Sequence, residues 1–109
     1  MTPTALHRPA AHSRTGAGTI VATLDVAYAR RFRLVVENDG TSTGSITAVS
    51  WKKSAVGTHY GPATSQTVSS PVAPGSSWGA SDDGDCVDQL ELTITVDGDA
   101  SVTVSLAGV

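Results

Sequence analysis

Gln89 to Leu106 reads QLELTITVDGDASVTVSL, and this stretch decides the fold class. Leu90, Leu92, Ile94 and Val96 alternate with Gln89, Glu91, Thr93 and Thr95. After Asp97-Gly98-Asp99, Val102, Val104 and Leu106 alternate with Ser101, Thr103 and Ser105. A period of two puts every apolar side chain of a segment on one face, which is the pattern of a half-buried strand. Two such segments joined by a short Asp/Gly turn predict a hairpin with one apolar and one polar face.

The same period recurs upstream. Ile20, Ala22 and Leu24 alternate with Val21, Thr23 and Asp25. Phe32, Leu34 and Val36 alternate with Arg31, Arg33 and Glu37, and this run ends at the turn Asn38-Asp39-Gly40. Ile46 to Trp51 predicts a third strand, with Thr47, Val49 and Trp51 on one face and Ile46, Ala48 and Ser50 on the other. Short strands are expected near Thr58-His59-Tyr60, closed by Gly61-Pro62, and near Gln66 to Ser69. Pro71 to Ser77 contains two prolines and a glycine and predicts a stiff turn. No segment shows a 3.6-residue period. About seven short strands with regular turns predict an all-β antiparallel sandwich, Ig-like or jelly-roll. The chain has 109 residues, enough for one modest core.

Residues 1–18 lack this periodicity and carry Pro3, Pro9, Gly16 and Gly18. They predict an extended N-terminal arm, separate from a sandwich domain at 19–109 and ordered by a partner subunit. Charge is divided along the chain. Residues 1–33 hold five arginines against Asp25, a net charge of +4. Residues 34–109 hold Lys52 and Lys53 against nine acids, a net charge of −7. A nucleic-acid binder wants one dominant basic face, so this division argues against one. It suits a basic arm, with Arg8, His12 and Arg14, docking on an acidic neighbour. No apolar run approaches the roughly 18 residues that cross a bilayer, and no secretion signal is visible. A single cysteine predicts folding in a reducing cytosol.

Chemistry-bearing motifs are few. Ser81 to Asp88, SDDGDCVD, sets Asp82, Asp83, Asp85 and Asp88 around Gly84, a composition that a calcium ion would accept. The spacing misses the D-x-D-x-D-G order and no bidentate Glu follows, so a solvated loop is the preferred reading. Asp97 and Asp99 would strengthen the calcium reading if they shared that end of the sandwich. Cys86 has acidic sequence neighbours, which suit a buried filler and not a reactive thiol. Gly75-Ser76-Ser77-Trp78-Gly79 matches G-x-S-x-G, but the strand-to-helix elbow that gives the motif its chemistry is not predicted. His7, His12 and His59 form no base and orienter pair in sequence. No catalytic set and no cofactor are therefore expected. Trp51, Trp78, Tyr60 and Tyr28 are most of the aromatics. Trp51 and Trp78 are candidate partner-binding residues. Trp51, at the end of an alternating strand, is read first as packed in the core or at a subunit interface, and with Tyr60 the two tryptophans would serve a carbohydrate-binding module if exposed in line.

The arm MTPTALHRPAAHSRTGAG and the period-two strands RFRLVVEN and DQLELTITV, in a Gly/Ser/Thr/Ala/Val-rich chain without a catalytic set, resemble the small accessory proteins of tailed-phage virions. These are decoration or cement proteins and small tail components. The resemblance implies a non-enzymatic virion protein, made in the host cytoplasm. It would bind a major capsid or other virion protein as a homo-oligomer, commonly a trimer, with no nucleic-acid or membrane partner. It carries over no functional residues. The alternative is a glycan-binding or tail-associated adhesion module.

Overall fold

The computed structural model describes residues 4–26, 30–55, 58–86 and 88–108, apart from the side chains of residues 4–9, 62, 67 and 69. Among the described residues there is no helix. Eight strands form in chain order: β1 (Thr4–Arg14), β2 (Gly18–Asp25), β3 (Phe32–Asn38), β4 (Ile46–Ala55), β5 (Thr58–Val72), β6 (Ser77–Asp82), β7 (Gln89–Val96) and β8 (Ala100–Gly108). They build two four-stranded antiparallel sheets, β1-β8-β3-β6 and β2-β7-β4-β5. Consecutive strands fall in opposite sheets, except β4 and β5. This order is the double Greek key of a jelly roll, one of the two sandwich classes that the alternation allows.

The apolar face of each strand points into the space between the sheets. Leu90, Leu92, Ile94 and Val96 of β7 meet Leu34, Val36, Val102, Val104 and Leu106 of β3 and β8 in one continuous core. Burying a Leu, Ile or Val side chain contributes about 1.5–3 kcal/mol, so these central strands carry most of the favourable term.

Four expectations change. First, Gln89–Leu106 is not a hairpin. β7 pairs with β2 and β4, while β8 pairs with β1 and β3, so Asp97-Gly98-Asp99 is a corner between sheets. Alternation fixes which face is buried but not which strand lies alongside, and both arrangements bury the same side chains. Second, residues 4–14 are not a separate arm. They pair with β8 from Thr4↔Gly108 to Arg14↔Ala100, with register shifts on either side of His7. Among the described side chains of β1, residues 10–14, the half-buried ones are Ala10 and His12, neither strongly apolar, so they give no apolar period. Third, β4 does not keep one period. A shift between Ile46 and Ala48 lets Ile46 and Val49 both point inward, which sends Thr47 out of the expected face. Fourth, the two short strands expected within 58–69 are one bulged strand, β5. The stiff turn stands where the prolines place it, as Ala73 to Ser76, with Pro74 before Gly75 at φ 85° and Ser76 N–H donating to Ala73 C=O at 3.0 Å.

The links between consecutive strands alternate between the two ends of the sandwich. Loops 15–17, 39–45, 73–76 and 97–99 share one end. Here Thr43 and Gly44 N–H both donate to Asp99 C=O, and Gly16 N–H donates to the Asp99 carboxylate at 2.6 Å. Asn38, 2% exposed, ends β3 at this corner. Its Nδ2 donates to Gly44 C=O and Val72 C=O, both at 2.9 Å, tying β3 to the start of β4 and the end of β5 in the other sheet. Replacing Asn38→Ala leaves two carbonyls without their buried donor. We expect a loss of about 2–3 kcal/mol, measured by urea unfolding, with strand content unchanged by circular dichroism below the transition.

Candidate functional site

The acidic stretch divides at Asp82. Asp82 is the last residue of β6, on the face that carries the half-buried Trp78 and Ala80. An inward aspartate at the end of an edge strand needs donors, and the opposite sheet supplies them. Trp51 Nε1 donates to Asp82 Oδ2 at 2.8 Å, and Lys53 Nζ to Oδ1 at 3.2 Å. Gly84 N–H donates to the same Oδ1 at 2.7 Å, which folds the chain back after β6. A side chain at Gly84 would meet the Lys53 ammonium and push it from its place beside Asp82. Phe32 of β3 completes the cluster, edge-on to Trp51 with ring centroids 6.4 Å apart and 5.8 Å from the Lys53 ammonium.

Burial by itself would raise the Asp82 pKa. The Trp51 indole, the Gly84 amide and the Lys53 ammonium outweigh it and hold the carboxyl below its ordinary 3.8. Asp82 is thus an ionised clamp between the sheets, with both oxygens engaged by protein donors. It is not offered to a cation. Asp97 and Asp99 lie at the far end of the eight-residue β7, about 26 Å away at the rise of a strand. They cap backbone amides there, Asp97 on Ser45 N–H and Asp99 on Gly16 N–H, both at 2.6 Å. Among the described residues, no group of three His, Cys, Asp or Glu side chains is arranged to hold a metal ion. Asp83 and Asp85 are exposed, and Asp88 C=O accepts from Val26 N–H at 2.6 Å.

Cys86 is fully buried in the core, with its Sγ 3.6 Å from Gln89 C=O. Burial pushes its thiol above the ordinary 9.0, the opposite of an activated nucleophile. Gly75 to Gly79 runs from the turn into β6, a strand and not a helix, so Ser77 does not stand on a nucleophile elbow.

The proposed partner-binding residues are not brought together. Trp51 is 2% exposed and belongs to the clamp, so of the core and interface readings it takes the core, and its candidate role as a partner contact is corrected. An aromatic ending an alternating segment reads the same in a core or an interface, and only the partner on β6 separates the two. Trp78 is half-buried against the core from β6. Arg14 donates to Ala17 C=O at 3.1 Å and Thr19 C=O at 3.4 Å within its own chain. His12 is half-buried on β1, while the side chain of Arg8 and the whole of Tyr28 lie outside the described residues. Tyr60 OH donates to Asp85 C=O at 3.3 Å, and His59 faces Glu91 at 3.5 Å. Among the described aromatics, Trp51 is thus withdrawn from any exposed row, and Trp78 and Tyr60 are half-buried. A polar depression of about 320 Å³ opens at the four-loop end, lined by Glu37, Asp39, Ser76, Ser77 and Thr103 among others.

No family model matches the chain, and no curated protein is similar to it in sequence. Solved structures do match. A chain of the T13 particle of infectious bursal disease virus superposes with a TM-score of 0.55 at 14% identity, over 97% of this chain and 30% of that one. Chains of the Gx strain of the same virus and of its VP2 subviral particle give TM-scores of 0.45 at 12% and 11% identity, over 97% and 98% of this chain. The chain spans about 30% of the length of these chains. The likeness to the first is one of fold.

A double-mutant cycle tests the clamp. Trp51→Phe keeps a ring but removes the donor, and Asp82→Asn removes the charge. We expect a coupling of about 2 kcal/mol, as for a hydrogen bond to a charged group. The pH dependence follows from the lowered pKa. The stability that Asp82 adds is complete above 3.8 and is lost as the pH falls through the lower folded-state value. Urea unfolding from pH 7 downward should show wild type and Asp82→Asn converging at the acid end.

Proposed function

We propose that this chain is a non-enzymatic structural protein of a viral particle, and that it decorates the assembled shell. The observation that carries the reading is the strand order. An eight-stranded jelly roll spans nearly all of the chain, and it superposes over 97% of its length on part of a chain from a virus particle. The side-chain chemistry supports the same reading. The acids with internal partners cap loops or clamp sheets, and the buried cysteine has a raised pKa.

In this reading the sandwich itself is the binding body, because β1 is committed to β8. Its outer strand faces are mostly Ser, Thr and Ala, with Arg33 and Glu37 as the charges of the β3 outer face. Such a face has few charges to desolvate and sets few electrostatic conditions on what covers it. A protein that binds the closed lattice and not free subunits raises lattice stability by linkage, and its many copies add avidity when they contact one another. Engagement of a major capsid protein by this sandwich, in the virion, is the finer form of the proposal.

The test is sedimentation of the purified chain with capsids of the virus that encodes it, lacking the chain at the outset. Saturable occupancy, a raised capsid melting temperature and no binding to unassembled subunits are expected. Failure to bind capsids overturns the decoration role. Binding to a glycan array that Trp78→Ala or Tyr60→Ala abolishes would replace it with the adhesion module.

A further inference from the structure

A sandwich of two open sheets has four edge strands, and three of them here carry features that deter pairing. β1 has Pro9 and two register shifts. β5 has two register shifts, with Pro62 and Pro71 in its sequence. β6 is six residues long, with Gly79 at its middle and Asp82 at its end. β2 has no proline and no register shift; it ends, like β6, in an aspartate, and the Arg14 guanidinium lies against its edge at Thr19 C=O. It holds an unbroken register with β7 from Gly18↔Val96 to Asp25↔Gln89, with no proline, no bulge and no charge before Asp25. At its centre lies Val21, 59% exposed and the one large apolar side chain left to solvent among the described residues.

The direction of the free backbone groups on β2 follows from the ladder. Val26 N–H donates to Asp88 C=O, directly opposite in the register. Hydrogen-bonded pairs alternate along an antiparallel ladder, so Leu24, Ala22 and Ile20 bond to β7. Thr19, Val21 and Thr23 then aim their N–H and C=O away from it. The Arg14 guanidinium reaches Thr19 C=O at 3.4 Å from the side opposite β7, as this phase requires, and a partner strand would displace it from that carbonyl.

We infer that β2 is a self-pairing edge, and that two copies of this chain join antiparallel through it about a twofold axis at Val21. The occupant is a second copy because the edge is complementary to itself. With the axis at Val21, the two Val21 residues exchange reciprocal backbone bonds and pack their side chains together on the outer face. Thr19 falls opposite Thr23 of the second copy, and Asp25 opposite Ala17, so no like charges meet. The two four-stranded sheets become one continuous sheet. The inference stands on β2 alone and is independent of the decoration role.

Sedimentation velocity of the purified chain should give a dimer. Val21→Pro removes an N–H that the β2–β7 ladder does not use, so it should abolish the dimer while the monomer keeps its fold by circular dichroism. Val21→Lys, which sets like charges on the axis, should do the same and serves if the proline variant does not fold. Under mild oxidation Val21→Cys should form a covalent dimer. Thr19→Cys or Thr23→Cys alone should not, and the two together should, while wild type, whose Cys86 is buried, should stay uncross-linked. A monomeric wild type, or a dimer that survives both Val21→Pro and Val21→Lys, overturns the inference.

Discussion

Everything in this fold depends on the corner at Asp97-Gly98-Asp99. β7 and β8 each carry a row of branched aliphatic side chains that must be covered. If they paired with each other, one sheet would hold both rows on one face and would need a separate cover. Crossing from one sheet to the other makes each row the cover of the other. The crossing is tight enough that a side chain at Gly44 would lie 2.5 Å from the backbone of Gly98. Loop 39–45 therefore rests directly on the corner, and Asp99 C=O receives two of its amides. With β7 and β8 central in opposite sheets, β2 and β4 flank one, and β1 and β3 flank the other.

Aliphatic rows alone would leave the two sheets free to slide, because branched aliphatic side chains of similar size pack in more than one offset. Two polar ties, at opposite ends, set the offset. Asn38 binds β3 to the carbonyls of Gly44 and Val72 at the four-loop end. Asp82 binds β6 to Trp51 and Lys53 at the other. Each is largely buried, so each is costly if unmet and specific when met. The chain has one Phe and two Trp, and it sets Phe32 and Trp51 beside the charged tie, where their area shields the Lys53–Asp82 pair from solvent.

The sequence shows this design unevenly, for identifiable reasons. β2, β3, β7 and β8 are legible because their inward residues, Asn38 at the end of β3 apart, are apolar, and a period of two is then unmistakable. β1 and β6 are not, since the half-buried residues among their described side chains are Ala10 and His12, and Trp78, Ala80 and Asp82. These two edge strands bury less and tolerate such residues, whereas β2, also an edge, keeps an apolar inward face and stays legible. The bulges of β4 and β5 break the period where a single inserted residue resets the face. Of the candidate site residues, the acids were visible as a cluster. Their separation into a clamp, an exposed turn and a strand entry depends on β6, which the pattern did not reveal. Trp51 was visible as an anchor, but its partner lies 31 residues away in the other sheet.

The distribution of edge features bears on how such a domain is used. A chain present in many copies on one surface meets its own kind at high local concentration, and every unprotected edge is then a route to uncontrolled association. Blunting β1, β5 and β6 removes those routes. Leaving one regular edge permits one contact, and a contact about a twofold axis is closed: once two β2 strands have paired, neither copy offers a second. Self-association of this kind ends at a defined particle and does not run on into fibres. The uncharged centre of β2 and the placement of Asp25 at its end, where Gln89 holds the carboxylate at 2.9 Å, fit an edge kept open for one partner and limited in length by a charge.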